Sequence, residues 1–348
     1  MFAYLHYRHS VYSVPVMPRF RILVSIALTA SLAVSACGGS SDDTLVVYSG
    51  RSLELVGTLI EQFESETGIT VEVRDGDSTE LAATLLLEGD NSPADVFLAQ
   101  DPASLGTAAG MFEQLPSDLL SLVPERFSDT DGRWVGISGR ARTLVYNADL
   151  VDEADLPASI DDLTDPRWAD RLGIAPTNSS FHAFVAAMIL TKGEEATLAW
   201  LEAVAANNPV DYPKNSPIVA AADAGEVHVG LVNHYYLFRL IAEQGESSAA
   251  NYFLPAGDAG SLVMPSGAGI LAGSDSEDAA RQFIEFMLSR TAQEHFASET
   301  FEYPLVPGVA ADPRLPAIES IATPDISLSE LAGALDRATD LIAEAGLL

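Results

Sequence analysis

From Thr44 onward the apolar positions alternate between two periods. "TLVVYS" (44–49) is a short apolar run ending in a turn. "LELVGTLIEQFESETG" (53–68) instead carries Leu55, Leu59, Ile60 and Phe63 at helical spacing and stops at Gly68. "ITVEVR" (69–74) alternates, with apolar residues on one side. "STELAATLLLEGDN" (78–91) reads as a helix with Ser78 as its expected cap and Glu80 in the first turn, and "ADVFLAQ" (94–100) as the next strand. Repeated strand–helix units of this size predict a largely parallel sheet with helices on both faces.

The pattern continues through the middle of the chain. "RTLVYN" (142–147) and "DRLGIAPT" (170–177) read as strands, and residues 179–206 as two helices broken near Gly193. "PIVAAADAG" (217–225) is a short helix. "EVHVGLVN" (226–233) is a strand, and "YYLFRLIAEQG" (235–245) a helix stopped by Gly245. "SLVMPSGAGILAG" (261–273) is a buried strand pair or one bent strand. Residues 278–290 and 329–346 form amphipathic helices. There is no internal repeat and no low-complexity linker.

With 348 residues, 48% of them apolar and 20% charged, the composition is globular and supplies enough apolar material for two cores. The first 36 residues stand apart. A basic start (Arg19, Arg21), an apolar run from Ile22 to Val34 and small residues before Cys37 form an export signal, too short to span a membrane comfortably. Met17 gives a more ordinary signal length than Met1. "VSAC" (34–37) resembles a bacterial lipoprotein box, so Cys37, the only cysteine, is expected to carry a lipid rather than a disulfide. "GGSSDD" (38–43) follows as a tether. Localisation is therefore expected to be extracytoplasmic, with contact to the membrane only through that lipid.

The formal net charge is −32; residues 1–36 carry three arginines and no acids, so the mature chain has −32 − 3 = −35. Such a surface repels phosphate backbones and anionic bilayers, which argues against nucleic acid as a partner. It is the solvated surface of acidic or salt-adapted exported proteins.

One dipeptide raises a chemical question. In "GLVNHYYLF" (230–238), Tyr235 and Tyr236 follow a strand and open a helix, where clefts of α/β folds lie and where a helix N-terminus favours an anionic phenolate. Two phenolates make a hard, anionic oxygen set. Phenols ionise only near ~10 on their own, and a highly charged hard cation, of which ferric iron is the usual biological case, reverses that balance. A bare "YY" is also compatible with one ring in the core and one at the surface.

The chain resembles the periplasmic ferric-ion-binding proteins of ABC importers, a branch of the bilobed solute-binding proteins, over essentially its whole mature length. The segments that carry the resemblance are "LVVYSGR" (45–51), "FESETGITVEV" (63–73), "NSPADVFLAQD" (91–101), "ISGRARTLVYN" (137–147), "DPRWADRLGIAPT" (165–177), "PKNS" (213–216), "GLVNHYY" (230–236) and "EYPL" (302–305). "SPADVF" is shared widely among solute-binding proteins; "SGRxRxxxYN" with a downstream "NxYY" is more specific to the iron-binding branch. The resemblance implies an α/β, two-lobed periplasmic-binding-protein-like fold (type II) with a ligand cleft between lobes. One lobe would combine residues 44–141 with about 266–316, the other 142–265 with about 317–348. It implies a monomer that closes by hinge motion and hands its ligand to a membrane permease.

By the same resemblance Tyr235 and Tyr236 match the ferric-binding pair. Asn233 and Asn215 match positions that help hold a synergistic phosphate or carbonate. Asn178, Ser179 and Ser180 match an anion-cradling loop at a helix N-terminus. Asp101 falls at an anion-contacting position, with Arg140 the nearest basic candidate. The chain departs from the family at three places: Ser52 stands where many members have histidine, Gln100 where some have glutamate, and the 178–181 loop lacks the tyrosine of others. Two protein ligands remain, and an anion, water, a chelator, Gln100 or Asp101 would complete a shell of about six. Ferric chelates, phosphate, sulfate, thiamine and polyamines are alternative ligands, and a lipoprotein enzyme is a more distant one.

Four histidines remain after the signal. His182 lies in an apolar helix and is expected to pack, His228 to face away from Val227 and Val229, and His295 to be solvated. His234 stands where the family usually has asparagine and is read as a neighbour of the site rather than a ligand. The chain has no HExxH, GxSxG, Walker A or GxGxxG motif, which leaves enzymatic readings little support.

Overall fold

The computed structural model describes residues 44–348; Cys37, the signal and the tether fall outside the described residues. The chain opens with β1 (Thr44–Ser49), α1 (Leu53–Thr67), β2 (Thr70–Asp75), α2 (Ser78–Glu88), β3 (Val96–Ala99) and α3 (Pro102–Ala108). A short α4 (Ser117–Leu120) leads to β4 (Val135–Asn147), β5 (Leu172–Ile174), α5 (Ser179–Lys192) and α6 (Glu194–Ala206). Then come β6 (Val210–Asp211), α7 (Asn215–Asp223), β7 (Val229–Asn233), α8 (Tyr235–Gln244) and β8 (Ala249–Tyr252). The chain ends with β9 (Val263–Ile270), α9 (Glu277–Met287), α10 (Arg290–Ser298), β10 (Tyr303–Pro304) and α11 (Leu331–Glu344).

The strands run in the order β2-β1-β3-β9-β4-β7-β5-β6, with β8 and β10 also pairing on β4. β1 is parallel to β2 and β3, and β5 is parallel to β6 and β7. Every pairing made by β4 and β9 is antiparallel, so the expectation of a largely parallel sheet is corrected to a mixed one. The reason is long-range. β9 returns from far down the chain and inserts between β3 and β4, a pairing that local strand–helix periodicity cannot show.

β4 is the element that joins the two halves. All thirteen of its residues are buried. Up to Ala141 it pairs with β9, and from Arg142 it pairs with β7 (Ala141 opposite Val263, Arg142 opposite Asn233). One strand therefore belongs to two sheets, and the switch falls between adjacent residues. α11 packs against α3, α5 and α6. In the first half Phe63 of α1 meets Phe283 of α9 edge-on at 5.3 Å.

Two local expectations change. Asp77, not Ser78, caps α2, its carboxylate accepting from the Thr79 N–H at 2.9 Å. Ser78 is the first helical residue, fully buried, and its Oγ accepts from the Gln100 N–H at 2.9 Å. The stretch 261–273 holds a single strand, β9. The break at Gly193, the stop at Gly245 and the strand-to-helix turn at 233–235 lie where periodicity predicts them.

Candidate functional site

A cleft of about 330 Å³ lies between two walls. One wall is made by the β1–α1 turn, the β2–α2 turn and Gln100; the other by Asn178, the start of α7 and the start of α8.

The second wall is built around β7. This strand is wholly buried and held by β4 and β5, so its end is fixed. His234 then turns the chain into α8, and the two phenols are its first two helical residues. Adjacent residues at a helix start are splayed by about a third of a turn, not by the half turn of a strand. Accordingly the Tyr235 and Tyr236 rings lie 4.2 Å apart and only 30° from parallel, both lining the cleft. Tyr235 is fully buried, and its hydroxyl has no hydrogen-bond partner. Burial, and next the neighbouring Tyr235, pushes the Tyr236 hydroxyl well above the usual phenol range. The Tyr236 ring is therefore not poised to ionise without a cation.

The first wall brings in a residue that sequence reasoning did not assign. Arg51 lines the cleft with its side chain almost wholly buried, and its Nη2 donates to Glu302 Oε2 at 2.6 Å. The turn that carries it requires glycine before it, because a Cβ at Gly50 would stand 1.9 Å from Ser78 Oγ. Arg140 and Arg142 are equally buried. Two apart on β4, they share a face. Arg142 Nη1 donates to Ser180 Oγ at 3.2 Å, and its guanidinium lies 5.4 Å from the Phe184 ring centre. All three Arg140 guanidinium nitrogens lack a hydrogen-bond partner. Burial lowers both pKa values, that of Arg142 to about 9, with the Arg140 charge as the next cause. "SGRAR" held the signal for the second arginine, an i, i+2 pair on a strand.

The remaining predicted residues divide into three groups. Gln100 and Asn178 line the cleft with the tyrosines. Gln100 Nε2 donates across it to Ser179 Oγ at 2.5 Å. Asn178 caps α5, and its Oδ1 accepts from the Ser180 N–H and Oγ–H and from Asn215 Nδ2. Ser179, Ser180, Asn215, Asn233 and Arg140 are buried and do not line the open cleft. Asn215 Oδ1 and both polar atoms of the Asn233 side chain have no partner. Asp101 is placed elsewhere: fully buried, it caps α3 by accepting from the Ser104 N–H at 2.8 Å and Oγ–H at 3.1 Å. Its pKa is raised by burial, against the pull of Arg140.

Among the histidines, His182 is packed between Thr339 Oγ1 and the Pro176 carbonyl. His234 is fully buried; its Nδ1 accepts from the Ala141 N–H, and its Nε2 faces the Phe301 carbonyl. Both ring nitrogens are thus used inside the fold. His295, expected to be solvated, is half-buried against Phe296. Among the described residues no group of three or more His, Cys, Asp or Glu could hold a metal ion, and no helix is long and apolar enough to cross a membrane.

Residues 91–325 match the family described as bacterial extracellular solute-binding protein. The chain belongs to that family. It is 35% identical over 338 residues to the Fe(3+)-binding periplasmic protein of Serratia marcescens, covering 95% of this chain and 99% of that one. It is 32% identical to the major ferric iron-binding protein of Neisseria meningitidis serogroup B, covering 93% and 98%. Among solved structures, iron-bound HitA from Pseudomonas aeruginosa superposes with a TM-score of 0.83 at 35% identity, over 87% of this chain and 99% of that one. The fold is the two-lobed α/β architecture of these binding proteins.

Proposed function

We propose that this solute-binding protein carries ferric iron, together with a small oxyanion, to an ABC importer on the extracytoplasmic side of the membrane. The observation that carries the reading is the Tyr235–Tyr236 pair: two nearly parallel phenols at a fixed strand-to-helix turn, opening on one cleft. Two phenolates neutralise two of the three ferric charges, and a phosphate or carbonate supplies more negative charge and oxygen ligands. The buried Asn233 and Arg140, whose side-chain polar atoms lack partners, and Asn215, whose Oδ1 lacks one, with the Asn178–Ser180 helix start, are the groups available to hold that anion. Gln100 is the further metal-facing side chain. Asp101 acts on the site as a helix cap.

In this reading residues 44–141 with about 266–316 form one lobe, and 142–265 with about 317–348 the other. The switch of β4 between sheets after Ala141 supports that division. The protein works as a monomer, is anchored through a lipid on Cys37, presents its closed form to the permease and has no enzymatic activity.

The test is a visible-absorption titration of the metal-free protein with ferric citrate, with and without phosphate or bicarbonate. The expected result is a phenolate-to-iron charge-transfer band saturating at one iron per protein and strengthened by the anion. No band under any condition overturns the ferric reading. A second reading, an oxyanion or a ferric chelate as the primary ligand, is favoured by one observation. Arg140 and Arg142 form no ion pair with a described carboxylate, leaving two buried cations to be balanced. Tight calorimetric binding of phosphate or citrate without iron would support it.

A further inference from the structure

Behind the tyrosine pair, a chain of buried groups runs from one cleft wall to the other and reaches the cleft only at Arg51. It begins at His234, whose backbone N–H donates to the Ala141 carbonyl at 3.0 Å while Ala141 N–H donates to His234 Nδ1 at 3.1 Å. Ala141 is the last β4 residue in the first sheet, so the histidine grips the strand where it changes sheets. Because Nδ1 accepts, Nε2 carries the ring proton and donates to the Phe301 carbonyl at 2.8 Å.

Phe301 is a hub with a backbone that a bulky residue rarely adopts, φ 59°. Its ring lies 5.9 Å from that of Phe238, one turn along α8 from Tyr235. The Arg314 guanidinium covers both rings, at 4.7 Å and 5.1 Å. The next residue, Glu302, is fully buried. Its Oε2 accepts from Arg51 Nη2 at 2.6 Å and Thr300 Oγ1 at 3.0 Å, and its Oε1 from Ser138 Oγ at 3.2 Å. Arg51 then faces the phenols from the opposite wall, where each phenolate would feel its charge.

We infer that His234 and Glu302 are positioning residues of the cargo site, the two ends of a relay through Phe301 that sets the Arg51 guanidinium against the Tyr235–Tyr236 pair. Neither residue contacts the cargo. Each fixes a group that does: His234 the first turn of α8, Glu302 the direction and charge balance of Arg51. The strained Phe301 is the link that lets one dipeptide bond α8 through its carbonyl and Arg51 through the next side chain.

The inference rests on the ferric reading and is tested on iron-loaded protein. Glu302→Gln keeps the shape but removes the charge opposite Arg51. It is expected to shift the charge-transfer maximum and to speed iron loss to a competing chelator by roughly 10- to 100-fold, the scale for outer partners of metal ligands. His234→Asn keeps an acceptor for Ala141 but does not reach Phe301, and moves both readouts in the same direction. The double variant matches the larger single effect, because both changes cut one relay. A purely structural role would lower the melting temperature and leave the band of the folded, loaded fraction in place. Unchanged band and release rate in both variants, or fully additive effects, overturn the relay. Should Glu302→Gln fail to fold, Thr300→Val loosens the same carboxylate and carries the same expectation. Absence of any band in the unsubstituted protein is a different failure, that of the ferric reading itself.

Discussion

The two walls of the cleft use the same backbone device for opposite charges. On one side β7 ends at Asn233 and α8 begins with two phenols; on the other β1 ends at Ser49 and α1 begins just after Arg51. Neither helix has a side-chain cap, although Ser52 stands ready at α1, whereas α2, α3 and α5 are capped by Asp77, Asp101 and Asn178. At these uncapped starts no side chain takes up the first-turn N–H groups beside the cleft. The difference lies in what holds each wall in place. Both walls follow a strand paired on its two sides, β7 by β4 and β5 and β1 by β2 and β3, but the arginine wall adds a buried ion pair to Glu302 and a close glycine contact. The phenols sit on one wall, and the positive charge that faces them on the other.

The largest expected effect breaks the phenol wall. Tyr235→Phe with Tyr236→Phe removes the charge-transfer band entirely, while circular dichroism and the melting transition stay near those of the unsubstituted protein. Each single change weakens iron binding by about tenfold or more, the equivalent of about 1.4 kcal/mol. Retention of the band in the double variant would end the assignment of these residues as ligands.

The two walls also differ in how far they could be read before folding. Adjacent tyrosines after an alternating strand are unusual enough to stand out, and Asn178 announces a helix start. Arg51 carries no such mark, since an arginine after a turn reads as a surface residue. Only the tertiary fold buries it, and its partner Glu302 lies 251 residues away. Arg142 was missed for a related reason: as the first residue of the predicted strand 142–147 it reads as an exposed strand end, and only the continuation of β4 back to Val135 buries it. Element identity followed from local periodicity. Strand direction did not, because β9 pairs with β3 and β4 from a distance. Short β8 and β10 carry too few residues to show a period.

The next effect falls on the arginine wall. Gly50→Ala places a methyl group 1.9 Å from Ser78 Oγ, on a buried side chain that also holds Gln100. The expected cost is roughly 1–3 kcal/mol of stability, the range for overpacking, read as a lower urea midpoint. Iron affinity should fall with it, because Arg51 and Gln100 shift together. Unchanged stability would mean that this wall yields more easily than the contact implies.

A pH series probes the support beneath the phenol wall. His182 joins α5 to α11 through Thr339, and burial holds its pKa below the usual histidine value. The folded state therefore binds this proton more weakly than the unfolded chain. Its contribution is complete above the unfolded pKa of about 6.5 and is lost as pH falls from there through the folded pKa. Urea midpoints of the metal-free protein should decline from pH 7 to pH 5, and His182→Gln should make the decline shallower. Equal declines would place the acid sensitivity elsewhere.

The smallest effect joins the walls directly. Arg239 Nη2 of α8 donates to Glu54 Oε2 of α1 at 3.0 Å, across the mouth of the cleft, and the Glu54 side chain is 75% exposed. A pair this wet contributes about 0.2–1 kcal/mol and is screened by salt. Glu54→Gln should therefore barely change the melting temperature. Its effect is expected on closure, because the pair links α8 on one wall to α1 on the other. Iron release from the variant should be up to about fivefold faster at low ionic strength, and the difference should vanish in molar salt. A difference that persists at high salt would show that Glu54 acts through contact with the cargo. No difference at low salt would leave the Gln100–Ser179 hydrogen bond as the contact that holds the two walls together.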